Sequence, residues 1–223
     1  MKITKKQLLT EYLPLAIAFI SIITCSIIFK QDLIKTIPVC FSLIIVLLSS
    51  HANKICYLMG AGNCLIYIVG YLMEGLYGSV IQTAFSSFIQ FATFFYWKRN
   101  SYKHATKFKE MTIWGKVFLL IAITLGTIIC AIVLMNINAS EVWLDSYTLI
   151  SGIAGPVLNL FAFVEYLPLS IMGQIISLIM WCKITVNGNI ANITYVIISV
   201  YNVYMVIRMA KTWIKLYREQ RHK

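Results

Sequence analysis

Charge is what this sequence has least of. Only 19 basic and 8 acidic side chains occur among 223 residues, and hydrophobic residues make up 60% of the chain. Soluble globular domains contain roughly 45 to 50% apolar residues. Uncharged stretches of about 18 or more residues, the length that spans a bilayer, follow one another along the chain. The composition therefore excludes a soluble enzyme or a free nucleic-acid-binding protein and predicts an all-α integral membrane protein.

Motifs that support catalysis are also missing. The chain has no Walker loop, no HExxH sequence and no paired carboxylates, so neither an ATPase nor an intramembrane protease is indicated, and we expect no enzymatic activity. Its six cysteines lie in or at the ends of apolar runs and form no CxxC pair. We interpret them as small buried hydrophobic residues and expect neither a metal nor another cofactor.

Reading from charge to charge divides the chain into eight candidate transmembrane helices. They are residues 12–29, 36–53, 55–73, 75–97, 117–140, 146–164, 166–182 and 184–207. The longest stretch between them, 98–116, is below the roughly 40 residues that an independent domain needs. Nothing outside the bilayer is therefore expected to fold alone.

The distribution of basic residues predicts the orientation of these helices. With eight spans both termini share one side, and 16 of the 19 Lys and Arg residues fall on that side, six of them in 98–116 and six from Arg208 onward. The positive-inside rule makes this side cytoplasmic. We therefore attribute the net charge of +11 mainly to topology rather than to a nucleic-acid partner.

An internal repeat appears when the chain is shifted by 113 residues. Met59-Gly60 then falls on Met172-Gly173, and the turn at 74–75 falls on that at 187–188. Spans two to four match spans six to eight in the same orientation, which predicts a parallel 3+1+3 helix bundle with an extra N-terminal helix. The predicted units are 1–35, an N-terminal segment and the extra helix; 36–97, the first bundle; 98–145, a basic loop and linker helix; and 146–223, the second bundle with a basic tail.

Polar side chains recur near the predicted midplane, where repeat transporters bind their substrates. Each amide there needs a hydrogen-bond partner, either a neighbouring helix or a ligand. Amides beside aromatic faces suit a neutral ligand with hydroxyl groups, such as a nucleoside. The candidate substrate contacts are Asn63, Tyr67, Gln82, Ser86, Gln90, Asn159, Gln174, Trp181, Tyr195, Ser199 and Asn202.

Ionisable groups are absent from this predicted midplane. Ion-coupled carriers usually keep a carboxylate inside the membrane. The only candidate, Glu165, is expected in a cytoplasmic turn ahead of Pro168, at a helix start. The sequence therefore favours facilitated diffusion over coupled transport.

Several motifs resemble the PnuC-type vitamin transporters. GxxNxxxY at 60–67, GLYG at 75–78 and FFYWKRN at 94–100 carry the likeness in the first half, and WLD at 143–145 and Trp213 carry it in the second. The resemblance implies a 3+1+3 fold in the bacterial inner membrane and uptake of nicotinamide riboside or a related unphosphorylated vitamin. It also implies a homotrimer and a cytoplasmic kinase that traps the substrate as its phosphate.

One departure from the family leaves the substrate open. Nicotinamide riboside carriers have a WxxWxxxN motif, and the corresponding positions here are Leu167, Ser170 and Gln174. Aromatic stacking must then come from elsewhere, or the ligand is a deoxyribonucleoside or thiamine instead. A membrane receptor or assembly protein that does not transport is the alternative from another class, and it would use the basic loop 98–116 as its binding surface.

Overall fold

The structure, a computed structural model, describes residues 7–30, 33–73, 77–102, 105–136, 142–186 and 193–221. This part of the chain is almost entirely helical and contains eight long helices. In chain order they are α1 Leu13–Ile28, α2 Leu33–Ser50, α3 Ile55–Met73, α4 Tyr77–Arg99, α5 Ile113–Asn136, α6 Val142–Leu160, α7 Tyr166–Val186 and α8 Ile193–Arg221. The predicted all-α fold with eight helices is thus confirmed.

Three short elements complete the described chain. A π-helical turn, Leu8–Tyr12, leads directly into α1. Between α4 and α5, the two-residue strands β1 Ser101–Tyr102 and β2 Ala105–Thr106 pair in antiparallel fashion. These elements all precede or follow helix ends on the side of the molecule that carries the basic loop.

The helix bounds correct several predicted ones. Prediction and structure agree for α3, but α5 and α6 begin four residues earlier than the spans starting at 117 and 146. Helix α8 begins nine residues after 184 and continues fourteen residues past 207. The prediction placed helix ends at charged residues, but α8 runs through Arg208 and Lys211, because Arg and Lys are good helix formers and do not end a helix.

Four described segments are long and apolar enough to cross a membrane. They are Leu8–Ile28, Ile113–Asn136, Tyr166–Lys183 and Ile193–Arg221. Shorter apolar segments, Thr36–Ser50 and Ile55–Val69, lie in α2 and α3. The apolar side chains of α5 point outward, with Trp114 79% and Phe118 72% exposed, as expected for a helix that faces lipid.

Six helices form a closed ring. Helix α3 packs between α2 and α4, and α7 packs between α6 and α8. The two groups of three meet at two places, α2 against α8 and α4 against α6. Helix α1 packs against α2 and α8, at one of these two junctions, and α5 packs against α6. We call α2–α4 the first bundle and α6–α8 the second bundle.

The segment between α4 and α5 is fixed to the second bundle. Backbone hydrogen bonds join Lys109 to Ala162 and Val164, and the backbone N–H of Phe108 donates to the Gln220 side chain at 2.8 Å. The C-terminal part of α8 therefore lies at the same end of the ring as this loop. We call this end of the ring the basic end.

Glu165 also belongs to this contact. Its carboxylate accepts the backbone N–H of Met111, at 3.2 and 3.3 Å for the two oxygens, and lies 3.3 Å from Lys116 Nζ. Glu165 directly precedes Tyr166, the first residue of α7, so its predicted position at a helix start agrees with the structure. Its carboxylate also fastens the loop, because both oxygens face the loop backbone.

The six cysteines are free thiols, as predicted. Cys56 is buried, and four others are half-buried, which fits their interpretation as small hydrophobic residues. Cys182 is exposed, so for this residue the prediction of burial was wrong. It lies near the end of α7, where fewer neighbouring helices cover the side chain.

Candidate functional site

An aromatic cluster closes the ring of helices at its basic end. Trp97 of α4 and Trp213 of α8 are fully buried, with ring centroids 5.2 Å apart. Phe108 of the loop packs on both indoles, at 5.8 and 4.9 Å. Tyr57 flanks Trp97 at 4.8 Å, and Tyr166 flanks Trp213 at 5.5 Å. We call these five residues the aromatic layer.

Each indole of the layer is hydrogen-bonded to the opposite bundle. Trp97 Nε1 donates to the backbone carbonyl of Asn159 in α6 at 3.0 Å. Trp213 Nε1 donates to the backbone carbonyl of Ser49 in α2 at 3.3 Å. The two bonds run in opposite directions across the interface, so each bundle contributes one tryptophan and one acceptor.

The acceptor helices end in the same way. In α2 the N–H of Asn53 bonds to Leu48 O and that of Ala52 bonds to Ser49 O. In α6 the N–H of Phe163 bonds to Leu158 O and that of Ala162 bonds to Asn159 O. This is the Schellman pattern, and both alanines have the positive φ that it requires, 53° and 59°. The matched residues are 110 positions apart, so the offset of 113, which paired 51–54 with 164–167, was wrong at this turn.

Three predicted contact residues are occupied in holding helices together. Asn63 is buried and its Nδ2 donates to Pro38 O and Ser42 Oγ, both at 3.0 Å. Gln90 Nε2 donates to Cys64 Sγ at 3.3 Å. Asn159 Oδ1 accepts the hydroxyl of Tyr57 at 2.8 Å. Asn159 contacts Tyr57 and Trp97 of the aromatic layer, so it lies at the basic end of the ring rather than in its middle.

The predicted aromatic contacts of the second bundle touch each other. Trp181 of α7 and Tyr195 of α8 are stacked, with centroids 4.4 Å apart and planes inclined by 16°. Ser199 is buried, and Tyr67 is half-buried. Gln82 belongs to α4, but its side chain lies outside the described residues.

Several predicted contacts keep polar atoms without a hydrogen-bond partner. Within the described part of the chain, the half-buried side chains of Gln174 and Ser86 make no hydrogen bond, and Asn63 Oδ1 and Asn202 Oδ1 are buried without one. Ser86 precedes Trp97 by eleven residues, and Asn202 precedes Trp213 by eleven, so both lie about 17 Å from the aromatic layer at 1.5 Å per residue. Asn63 is already held between helices through its Nδ2, whereas Gln174, Ser86 and Asn202 Oδ1 are available for a ligand.

A buried charge cluster at the basic end was missed by sequence reasoning. Glu11, in the π-helical turn, is only 5% exposed. Its carboxylate accepts Arg208 Nη2 at 2.5 Å and His51 Nε2 at 2.9 Å. Arg208 Nη1 also donates to the Thr10 carbonyl at 2.6 Å. The spans were counted from charge to charge, which placed Glu11 outside the membrane helix and gave no signal for its partners.

The charged side chains at the basic end hold the loop between α4 and α5 in place. Hydrogen bonds from Lys116 Nζ and then from the Tyr217 hydroxyl, both at 2.7 Å, hold the pKa of the Glu110 carboxyl below its usual value. The described residues contain no group of three or more His, Cys, Asp or Glu side chains that could hold a metal ion.

Comparison with known proteins agrees with this architecture. A known crystal structure, described as "Crystal structure of the Vitamin B3 transporter PnuC", superposes with a TM-score of 0.77 over 97% of this chain and 93% of that chain, at 16% sequence identity. No curated protein matches the sequence. The family described as "Nicotinamide mononucleotide transporter" matches residues 32–215. Since this match spans most of the sequence and all of α2–α7, the chain is a multi-pass membrane protein that belongs to the nicotinamide mononucleotide transporter family.

Proposed function

We propose that the protein takes up nicotinamide riboside, or a related unphosphorylated nucleoside-like vitamin, by facilitated diffusion. The observation that carries this proposal is the set of unpartnered, uncharged polar groups on Ser86, Gln174 and Asn202. One amide and one hydroxyl come from equivalent depths of the two bundles, and a second amide comes from α7. Such groups can pair with ribose hydroxyls and with a ring carboxamide.

The absence of nearby cations supports an unphosphorylated substrate. A phosphate ester is usually held by Arg or Lys through charge-assisted hydrogen bonds. Between residues 77 and 97 of α4, and between 166 and 182 of α7, the sequence has no charged residue, and Arg208 of α8 is paired with Glu11. The family's name refers to a mononucleotide, but these helices offer a phosphate no counter-charge. Uptake down a gradient would then continue if a cytoplasmic kinase phosphorylated the vitamin.

The 3+1+3 repeat is part of the same proposal. It is supported by the paired contacts α2 with α8 and α6 with α4, by the two Schellman turns and by the two crossed indole bonds. On this basis the units are 36–97 and 146–223, the linker unit is 98–145, and 1–35 holds the extra helix. The resemblance to PnuC-type proteins supports a homotrimer in the bacterial inner membrane, with the basic end and both termini in the cytoplasm.

A different vitamin or nucleoside is the second candidate for one specific reason. The tryptophans of the family motif are replaced by Leu167 and Ser170, and Trp181 is already stacked on Tyr195. Thiamine or a deoxyribonucleoside has a different ring system and would need a different stacking partner. The receptor alternative is less well supported, because Phe108 and its neighbours in the loop are packed against the second bundle.

Transport into proteoliposomes tests this proposal. We expect saturable uptake of radiolabelled nicotinamide riboside, inhibited by excess unlabelled compound, with no dependence on a proton or sodium gradient. Gln174→Ala and Asn202→Ala should each raise KM about 5- to 30-fold, since each loses a hydrogen bond worth about 1 to 2 kcal/mol.

Asn136→Ala is the matched control, because this amide is exposed at the end of α5, outside the ring. Unchanged KM in both test variants would mean that Gln174 and Asn202 serve helix packing and do not contact the substrate. A panel of thiamine and deoxyribonucleosides run in parallel identifies the substrate if nicotinamide riboside does not move.

A further inference from the structure

The two indoles of the aromatic layer occupy the position where the two bundles meet. Trp97 belongs to the first bundle and Trp213 to the second, and each donates its N–H to the other bundle. Both side chains have no exposed surface. A solute that moves between the bundles toward the basic end must therefore separate these two rings.

Phe108 completes this closure from the loop. Its ring packs on both indoles, and the side chain is buried. The Gln220 side chain of α8 fixes this part of the loop. It donates to Thr106 O at 2.9 Å and accepts the Phe108 N–H. The loop thus covers the layer from the outside.

The acceptors of the indole bonds are suited to repeated opening. Ser49 O and Asn159 O each accept a second hydrogen bond, from the N–H of Ala52 and Ala162, both at 2.9 Å. When an indole withdraws, its acceptor keeps this bond and is not left unpaired. The cost that normally follows the loss of one partner of a buried hydrogen bond is therefore reduced.

We propose that Trp97 and Trp213 form the gate at the basic end of the substrate pathway, and that opening breaks the two indole-to-carbonyl bonds together. This inference rests on the proposed transport function, since a gate requires a pathway. The tryptophans act as positioning residues: they hold the bundles together at this end and lie outside the proposed binding site. The structure has this gate closed.

Reaction of Cys56 with a membrane-impermeant thiol reagent tests the gate. Cys56 is 1% exposed and belongs to the same buried cluster as both tryptophans. The other five cysteines are replaced by alanine, and the reagent is applied to the basic end in vesicles of known orientation. Trp97→Phe and Trp213→Phe keep an aromatic ring but lose the N–H donor.

We expect each variant to raise the labelling rate of Cys56 about 5- to 10-fold, the factor that corresponds to one lost hydrogen bond. Trp114→Phe is the matched control, because Trp114 is 79% exposed on α5. In this variant, Cys56 should be labelled at the same rate as in the parent protein. The substrate KM of the two gate variants should change less than their maximal rate.

A second variant keeps the proposal open to refutation if the tryptophan variants do not fold. Phe108→Leu removes the covering ring and leaves both indole bonds, and it should also raise Cys56 labelling. Unchanged labelling in correctly folded Trp97→Phe and Trp213→Phe, or in Phe108→Leu where those two do not fold, would overturn the gate.

Labelling is independent of transport, so the two proposals can fail separately. Raised labelling in a protein that moves no vitamin or nucleoside would support closure by the tryptophans and refute the proposed transport function. Normal uptake with unchanged labelling would refute the gate alone.

Discussion

Removing the Glu11 carboxylate should destabilise the protein more than any exposed charge change. The carboxylate is 5% exposed and accepts hydrogen bonds from Arg208 and His51, which belong to α8 and to the turn after α2. In Glu11→Ala, the Arg208 guanidinium would keep its hydrogen bond to the Thr10 carbonyl. It would also keep partial contact with solvent, because the Arg208 side chain is 23% exposed. This single cluster joins the N-terminal turn to both bundles.

The size of the effect follows from burial. Breaking a fully buried ion pair costs about 3 to 5 kcal/mol. Because Arg208 and His51 retain contact with solvent, we expect about 2 kcal/mol for Glu11→Ala, which corresponds to a fall in Tm of about 4 to 8 °C. Glu11→Gln keeps the shape and one acceptor oxygen, so its effect should be about half as large.

Thermal unfolding in detergent, followed by near-UV circular dichroism, measures this effect. The double variant Glu11→Ala/Arg208→Ala should lose less stability than the sum of the single variants, with a coupling of about 1 to 2 kcal/mol. Arg99→Ala, an exposed arginine at the end of α4, is the control and should change stability by less than about 0.5 kcal/mol. Additive losses in the double variant would refute the reasoning, because they would mean that the two side chains do not interact.

Two further predictions concern the loop and the first bundle. Because hydrogen bonds from Lys116 and Tyr217 lower the pKa of Glu110, its contribution to loop attachment is fully present above the ordinary carboxyl pKa and is lost as the pH falls through the lowered value. Limited proteolysis of the loop should therefore accelerate at acid pH, and Glu110→Gln should reduce this pH dependence, since the Glu165 carboxylate still fastens the loop. Gly62→Ala has open space around the new methyl group and should stabilise α3 by up to about 1 kcal/mol. Gly60→Ala should stabilise less or destabilise, because its methyl group meets the Gln90 side-chain oxygen, and comparison of the two melting temperatures checks this.

The number of helices could be predicted from the sequence because the helices are separated by charged residues in an otherwise apolar chain. The helix ends could not, because a charged residue limits the apolar stretch without ending the helix, and Lys and Arg are good helix formers. Helix α8 therefore continues through Arg208, Lys211 and Lys215 to Arg221. The partner of Arg208, Glu11, lies 197 residues away, and no pattern along the chain indicates such a pair.

The sequence predicts which polar side chains share a helix face, but not the role of each residue. Helical spacing identifies polar side chains that share a face, and this placed amides on α3, α4 and α7. Whether an amide meets a ligand or a neighbouring helix depends on packing. Asn63 donates to the Pro38 carbonyl of α2, and Gln90 donates to the Cys64 sulfur. Neither contact leaves a pattern in the sequence that distinguishes it from an unpartnered amide.

In the proposed repeat, the offset between matching residues changes along the chain. The Schellman turns of α2 and α6 match at an offset of 110, whereas Trp97 and Trp213, with their crossed indole bonds, match at 116. Helices α3 and α7 begin 111 residues apart and end 113 apart, and α4 and α8 begin 116 apart. The offset increases because α7 is longer than α3 and the connection after α7 is longer than the one after α3. The predicted offset of 113 lies midway between 110 and 116.

This change in offset alters the interpretation of the polar residues. In the proposed repeat, an offset of 113 pairs Ser86 with Ser199, a buried residue, whereas the offset of 116 that relates Trp97 to Trp213 pairs Ser86 with Asn202. Ser86 and the Asn202 side-chain oxygen both lack a hydrogen-bond partner among the described residues. They lie at equal distances along their helices from the aromatic layer, one in each bundle. If the proposed site binds a ligand between the bundles, that ligand would meet a hydroxyl on one side and an amide on the other, and this asymmetry would favour a single orientation.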